Sequence, residues 1–372
     1  MKNRVEGLTG IRGVAALAVL LYHLHFNPAF AQYNFSLTSR AYLAVDLFFI
    51  LSGFVLSMRY DGLRMKSDAA AYFGFLLNRI ARVYPLHLVV VTAATVRLFF
   101  GTSGSGALLT APQLLANFTM SEAWGFGTPA VSGALWSVST EAMAYLVFPL
   151  LTTLARVRPA WQTIGLAVIG YGTIAVFGDG SESMMDVASL ENSFPLFRCL
   201  CGFAVGIVTH RAFTEGRLEA MRSDRSFYAV LLALGVAFMV PNSDLAIVAT
   251  FPALVVALAH DGRAARAVFG NKVMAYLGLI SYSLYLWHPL ARDGLGHAYA
   301  IAQTHHVAIP IAVVVAVYVG GMIIVADISY RLIEVRGRKI VLALRTRVMP
   351  RRGQEDRRAF AHDQVGPAGA DG

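Results

Sequence analysis

Ten apolar segments divide the chain, at about residues 9–25, 42–58, 83–100, 133–154, 161–178, 194–210, 226–241, 244–260, 273–292 and 307–330. Each is close to the ~20 residues an α-helix needs to cross ~30 Å of hydrocarbon. A segment in lipid has to satisfy its backbone groups internally, which a helix does within itself. The pattern therefore predicts an all-α, polytopic membrane protein with about ten transmembrane helices. No internal repeat is visible, and the Gly/Pro interruptions do not fall in corresponding halves, as they would in an inverted-repeat transporter.

Composition agrees with this reading. Of 372 residues, 56% are hydrophobic and only 14% charged, and mean hydropathy is +0.58. The net charge of +9 resembles a nucleic-acid signal until the basic residues are located. With the N-terminus placed in the cytoplasm, 25 of the 31 Lys and Arg fall on inner connections or the C-terminal tail. Only Arg40 and Arg292 fall on outer connections, and Arg12, Arg97, Arg198 and Arg331 lie within spans. This is the positive-inside distribution, and it puts both termini in the cytoplasm with no role for nucleic acid. The first span also resembles a signal peptide, ending in Ala29-Phe-Ala31, but Arg12 and His23 are foreign to signal cores. Residues 1–338 read as one membrane-embedded unit. Residues 339–372 read as a basic, disordered tail lying against anionic lipid. Residues 101–132 form the longest outer connection, read as a loop in preference to a lid or re-entrant piece. Cys199 and Cys201 lie two apart on different sides of one span and read as packing residues.

The chemistry lies in polar groups that the membrane tolerates only at a cost. An ionisable side chain in hydrocarbon costs at least about 2.5–3.5 kcal/mol, which makes it a functional candidate. Arg12 and His23 are eleven residues apart, which brings both to one face of a helix, roughly 16 Å apart. Asp46, Glu141, Arg198 and His288 come from four other spans and, by topology, share an outer slab with His23. Plainer readings exist: Asp46 neutralising Arg40 or capping a helix, and His288, His25 and His87 as interfacial residues. Arg79 and Arg82 lie one turn apart at the inner face, fitting either topology alone or a phosphate clamp. His305-His306 lacks further ligands for a metal, and no metal site is expected.

Several of these residues sit in motifs that resemble the acyltransferase-3 family of bacterial integral-membrane O-acyltransferases. Leu8-Thr-Gly-Ile-Arg12…His23 resembles its Arg, ten residues, His signature. Val45-Asp46 to Phe54, Arg79-Ile-Ala-Arg82, Trp136-Ser-Val-Ser-Thr-Glu141, Tyr282 to His288 and Tyr330 to Glu334 resemble its other motifs. The matches run in order over about residues 8–338. The sequence departs from the family pattern after Glu141, and at Glu334-Val-Arg-Gly-Arg338, which lacks a proline. The resemblance implies that residues 1–338 are an acyltransferase domain in the bacterial cytoplasmic membrane. It implies transfer of an acyl group, most often acetyl, from acyl-coenzyme A to a hydroxyl of a carbohydrate or glycosylated acceptor. No cofactor is bound permanently; acyl-coenzyme A is the donor, and membrane lipids are the surroundings. His23 would be the base or a transient acyl carrier, with Glu141 orienting its imidazole and Arg12 facing developing negative charge. Arg79 and Arg82 would hold the coenzyme phosphates, and Asp46, Arg198 and His288 would support the acceptor side. A proton-coupled exporter of a glycolipid or small molecule would use Arg12, His23 and Glu141 differently, as a path lining.

Overall fold

The computed structural model describes residues 5–30, 33, 38–60, 69–100, 109–177, 185 and 192–348, and the regular secondary structure among these is all helical. The helices are α1 Glu6–Tyr22, α2 Ala44–Tyr60, α3 Ala69–Phe100, α4 Ala111–Phe118, α5 Leu135–Val157, α6 Ala160–Phe177 and α7 Phe194–Thr214. They continue with α8 Asp224–Met239, α9 Asp244–Ala259, α10 Arg263–Phe269, α11 Lys272–Thr304, α12 Ile311–Ser329 and α13 Arg336–Val348. Seven helical segments among the described residues are long and apolar enough to cross a membrane. The count is eight if α9 and α10, bent by 107°, form one broken span. Each of the ten expected segments lies on a helix, but two fall short of a clear span. Helix α8 has 16 residues, about 24 Å at 1.5 Å per residue. Helix α11 is long, yet its apolar run is diluted by Tyr, Ser and His and then by Arg292 and Asp293.

Two tightly packed helix pairs carry the site. Lipid tails supply no hydrophobic drive between helices, so association there rests on close packing at small residues. Helix α1 meets α11 at Gly13 and Gly278, and the end of α10 at Gly10; a Cβ at Gly278 would sit 1.9 Å from the Thr9 carbonyl oxygen. Helix α2 meets α7 at Gly53 and Gly206, where a Cβ on Gly206 would lie 2.1 Å from the Ile50 carbonyl oxygen. Backbone approach at these points fixes Arg12 and His23 relative to His288, and Asp46 relative to Arg198. Helices α6 and α12 turn apolar side chains such as Leu166, Val176, Val317 and Ile324 outward, the face expected toward lipid.

Three local features depart from a plain bundle. Between α12 and α13 the chain makes a π-helical turn, Tyr330–Val335, a form often found at functional positions. The segment expected as a tail begins as a helix, because α13 runs to Val348 with Ile340 and Leu344 exposed between its basic residues. Residues 349–372 lie outside the described residues. The connection before α5 is folded inward: Asn117 is fully buried, donating to the Gln113 and Pro129 carbonyls and accepting from Val131 N–H. His87 of α3 holds the Asn117 carbonyl at 2.8 Å.

Candidate active site

His23 follows directly on α1, where the chain tightens into a 3₁₀ turn. Carbonyls at a helix end run short of backbone donors, and that of Val19 accepts from His23 Nδ1 at 2.8 Å. A neutral imidazole protonated at Nδ1 carries its lone pair on Nε2, the form a base needs. His288 is built the same way by a different route. Pro289 lacks the N–H that would bond to the Tyr285 carbonyl four residues back. That carbonyl instead accepts from His288 Nδ1 at 2.5 Å. The two imidazole rings lie 4.6 Å apart between centroids. The structure thus brings His23 and His288 into direct contact.

Asp46 and Arg198 form a second unit. Both are buried, and the guanidinium donates twice to the carboxylate, at 2.9 and 2.6 Å. A third donation reaches the Met185 carbonyl at 2.8 Å. The cation is covered by the rings of Tyr42 and Trp136. Asp46 therefore neutralises Arg198, not Arg40, which reaches Asp244 and Ser243 instead.

Glu141 is hydrogen-bonded to α2, not to His23. Its Oε1 accepts from Ser52 of α2 at 2.7 Å, and His23 Nδ1 is already committed to Val19. The expected orienting contact between this carboxylate and the imidazole is thus replaced by a backbone carbonyl. Glu141, Arg12 and Arg79 all lie within electrostatic reach of the Tyr145 phenol, and Arg12 also reaches Glu334. Arg82 of α3 donates to Glu334 at 3.0 Å, and the other carboxyl oxygen accepts from Ser283 of α11 at 2.6 Å. Arg79 sits over the Tyr60 ring. Arg12, Arg79 and Arg82 thus gather near two carboxylates, roughly a helix length along α1 from His23.

Tyr285 joins His288 of α11 to Ser137 of α5 and was not singled out from sequence. Its hydroxyl bonds to Ser137 at 2.7 Å, its carbonyl holds His288, and its ring packs on Phe48. Ser52, Ser283 and Glu334 lie inside motifs noted above, so position was available but pairing was not. Glu122 had no signal at all. It lies in the connection between α4 and α5, outside the spans, fully buried beside Ser139. Burial pushes its carboxyl up to about 8. Two clefts of about 260 and 420 Å³ open around Arg211 and Glu215; neither is lined by His23, His288 or Glu141. Among the described residues, no group of three or more His, Cys, Asp or Glu is placed to hold a metal.

The described residues thus form a multi-pass helical bundle with two imidazoles in contact at one end of α1 and arginines gathered with carboxylates further along it. The chain belongs to a family described as an acyltransferase domain, whose profile covers residues 5–330, and it is an acyltransferase. It is 28% identical to the acyltransferase MdmB of Streptomyces mycarofaciens, over 86% of this chain and 89% of that protein. Staphylococcus aureus proteins bearing an O-acetyltransferase name are 24% identical over 90% of this chain and 57% of their own length. The peptidoglycan O-acetyltransferase OatA of Listeria monocytogenes is 23% identical over 77% of this chain. The chain spans about half of that protein's length, 49%. No solved structure matches the chain.

Proposed function

We propose that this protein moves an acyl group, acetyl foremost, from acyl-coenzyme A to a hydroxyl of a carbohydrate or glycosylated acceptor. It does so at the bacterial cytoplasmic membrane, with both termini in the cytoplasm. The observation that carries this reading is His23: its Nδ1–H is spent on the Val19 carbonyl, so Nε2 is left as the base. Attack of a hydroxyl on a thioester needs a proton acceptor with affinity near ambient pH, and imidazole supplies one. The acceptor O–H gives its proton to Nε2 as its oxygen bonds the thioester carbon. The C–S bond then breaks, and the coenzyme thiolate leaves and takes the proton.

Arg12 lies on α1, eleven residues before His23 in the turn that follows it, which suits an elongated donor with phosphates at one end and thioester at the other. Arg79 and Arg82 are assigned to the phosphates, since guanidinium matches phosphate oxygens bidentately. Glu141, with Ser52 and Tyr145, is assigned to holding Arg12 and Arg79 in place. Asp46 and Arg198 are assigned to fixing Trp136 on the acceptor side.

The test is a kinetic split. Arg79→Gln should raise the apparent KM for acetyl-coenzyme A about 10- to 100-fold, the loss of a charged hydrogen bond. His23→Ala should lower kcat by about 10²–10⁴, the usual contribution of a general base, with KM little changed. An envelope phenotype that survives both substitutions, with no consumption of acetyl-coenzyme A, would overturn this reading in favour of an exporter.

A further inference from the structure

Arg292 lies in α11 four residues beyond His288, one turn further along and on the same face of the helix. Its carbonyl accepts from the Asn27 side chain at 3.2 Å, and Asn27 ends the 3₁₀ turn that begins at His23. One turn further on, a Cβ at Gly296 would sit 2.0 Å from Asn27 Nδ2, so α11 is pressed against that turn. The Arg292 side chain is partly exposed, and its charge acts on both imidazoles.

That charge is only half met. Asp293 Oδ1 accepts from Arg292 at 2.7 Å, and Oδ2 accepts from Arg97 of α3 at 2.5 Å. Among the described residues no other carboxylate pairs with either arginine. Two guanidinium groups therefore share one carboxylate, and one positive charge is left over beside His23 and His288. Arg40, the other cation on an outer connection, is spent at a distance, on the Val240 carbonyl, Ser243 and Asp244. In the proposed topology the Arg292 cluster faces the outer side, where positive-inside sorting leaves few Lys or Arg. Orientation in the membrane thus gives no reason for two arginines there. Chemistry does, because a guanidinium offers a planar fork that fits carboxylate and phosphate oxygens.

We propose that the acceptor is an anionic carbohydrate, and that Arg292, with Arg97 beside it, binds its carboxylate or phosphate while a hydroxyl of the same molecule meets His23. The inference rests on His23 as the base of an acyl transfer. The acceptor's anion supplies the charge that Asp293 alone does not, and its tie to Arg292 sets which hydroxyl reaches the imidazole. Hydroxyls close to the anion are presented to His23, and distant ones are not. Arg292 is then the specificity-determining residue on the acceptor side, as Arg79 and Arg82 are assigned to the donor.

The experiment uses the full chain in lipid nanodiscs with labelled acetyl-coenzyme A and bacterial envelope carbohydrate. The carbohydrate is supplied untreated, amidated at its carboxylates, stripped of phosphate, or treated both ways. Removing the recognised anion should lower kcat/KM for the acceptor about 10- to 100-fold, the loss of one charged hydrogen bond. Which treatment does so tells carboxylate from phosphate. Undiminished transfer to the doubly treated material would overturn the proposal, and this readout needs no variant to fold. Arg292→Gln should raise the acceptor KM by the same factor at unchanged KM for acetyl-coenzyme A, and Arg292→Lys should recover part of it. A folded Arg292→Gln variant with the wild-type acceptor KM would overturn it too. If the thermal midpoint of that variant also stops responding to phosphatidylglycerol, the anion that Arg292 serves is a lipid headgroup. A wild type that transfers no label, yet retains untreated carbohydrate and loses it on treatment or with Arg292→Gln, would sink the enzymatic reading and leave the anion site standing. Neither transfer nor retention would sink both.

Discussion

Asp46 and Arg198 are both inside the protein, and removing either leaves a buried charge alone. Breaking such a pair costs about 3–5 kcal/mol, whereas replacing both members by apolar residues is often neutral. Asp46→Ala should therefore lower the thermal midpoint in detergent markedly, and Asp46→Leu with Arg198→Met should restore much of it. Arg82 and Glu334 obey the same logic, so Arg82→Gln should be tested with Glu334→Gln to separate donor binding from stability. Glu122 makes a pH prediction. Its carboxyl, raised to about 8, keeps its proton in the fold where the unfolded chain has lost it. Stability is then fullest below the unfolded carboxyl range and falls as pH rises toward 8, by about 1.4 kcal/mol per unit at most. Glu122→Gln should flatten that slope in pH-dependent unfolding; an unchanged slope would show that Glu122 is not its source. At this scale the sequence revealed which residues carry charge in the membrane, because hydrocarbon makes any such group conspicuous. It did not reveal partners: Asp46 belongs with Arg198 across 152 positions, and nothing local to either encodes that.

The helices turn these residues into a site. Ten apolar runs were legible because burial in lipid demands long uninterrupted apolar stretches, and each run is found on a helix. Boundaries were less legible. Helix α11 extends twelve residues beyond the expected 292, to Thr304, since polar residues past the apolar run still favour helix. The inward fold of residues 109–134 was invisible, as it depends on one asparagine satisfying three backbone groups. Two element-scale consequences follow. Gly278→Val would drive side-chain atoms into the Thr9 carbonyl, so α1 and α11 must separate; overpacking of this kind costs about 1–3 kcal/mol or more. Loss of thermal stability, with transfer activity falling further than stability, is the expected result. Pro289→Ala restores an N–H aimed at the Tyr285 carbonyl, competing with His288 Nδ1. Histidine ¹⁵N spectra should then show His288 partly in the other tautomer, while His23 stays as it is.

Across the whole molecule the polar groups form an array, imidazoles at one end of α1 and, further along it, Arg12 with Arg79, Glu141 and Glu334. This arrangement suits a reaction in which donor and acceptor approach from opposite ends of a bundle. The family membership fixes acyl transfer as the chemistry, and the proposal assigns that chemistry to His23 and Arg12. The most direct test is acyl transfer itself, with purified protein in nanodiscs, acetyl-labelled acetyl-coenzyme A and envelope carbohydrate. Free coenzyme thiol and acceptor-bound label should appear in equal amounts with wild type and fall to background with His23→Ala at matched folding. Equal transfer by the two proteins would contradict the account, and so would label that stays on coenzyme A in both.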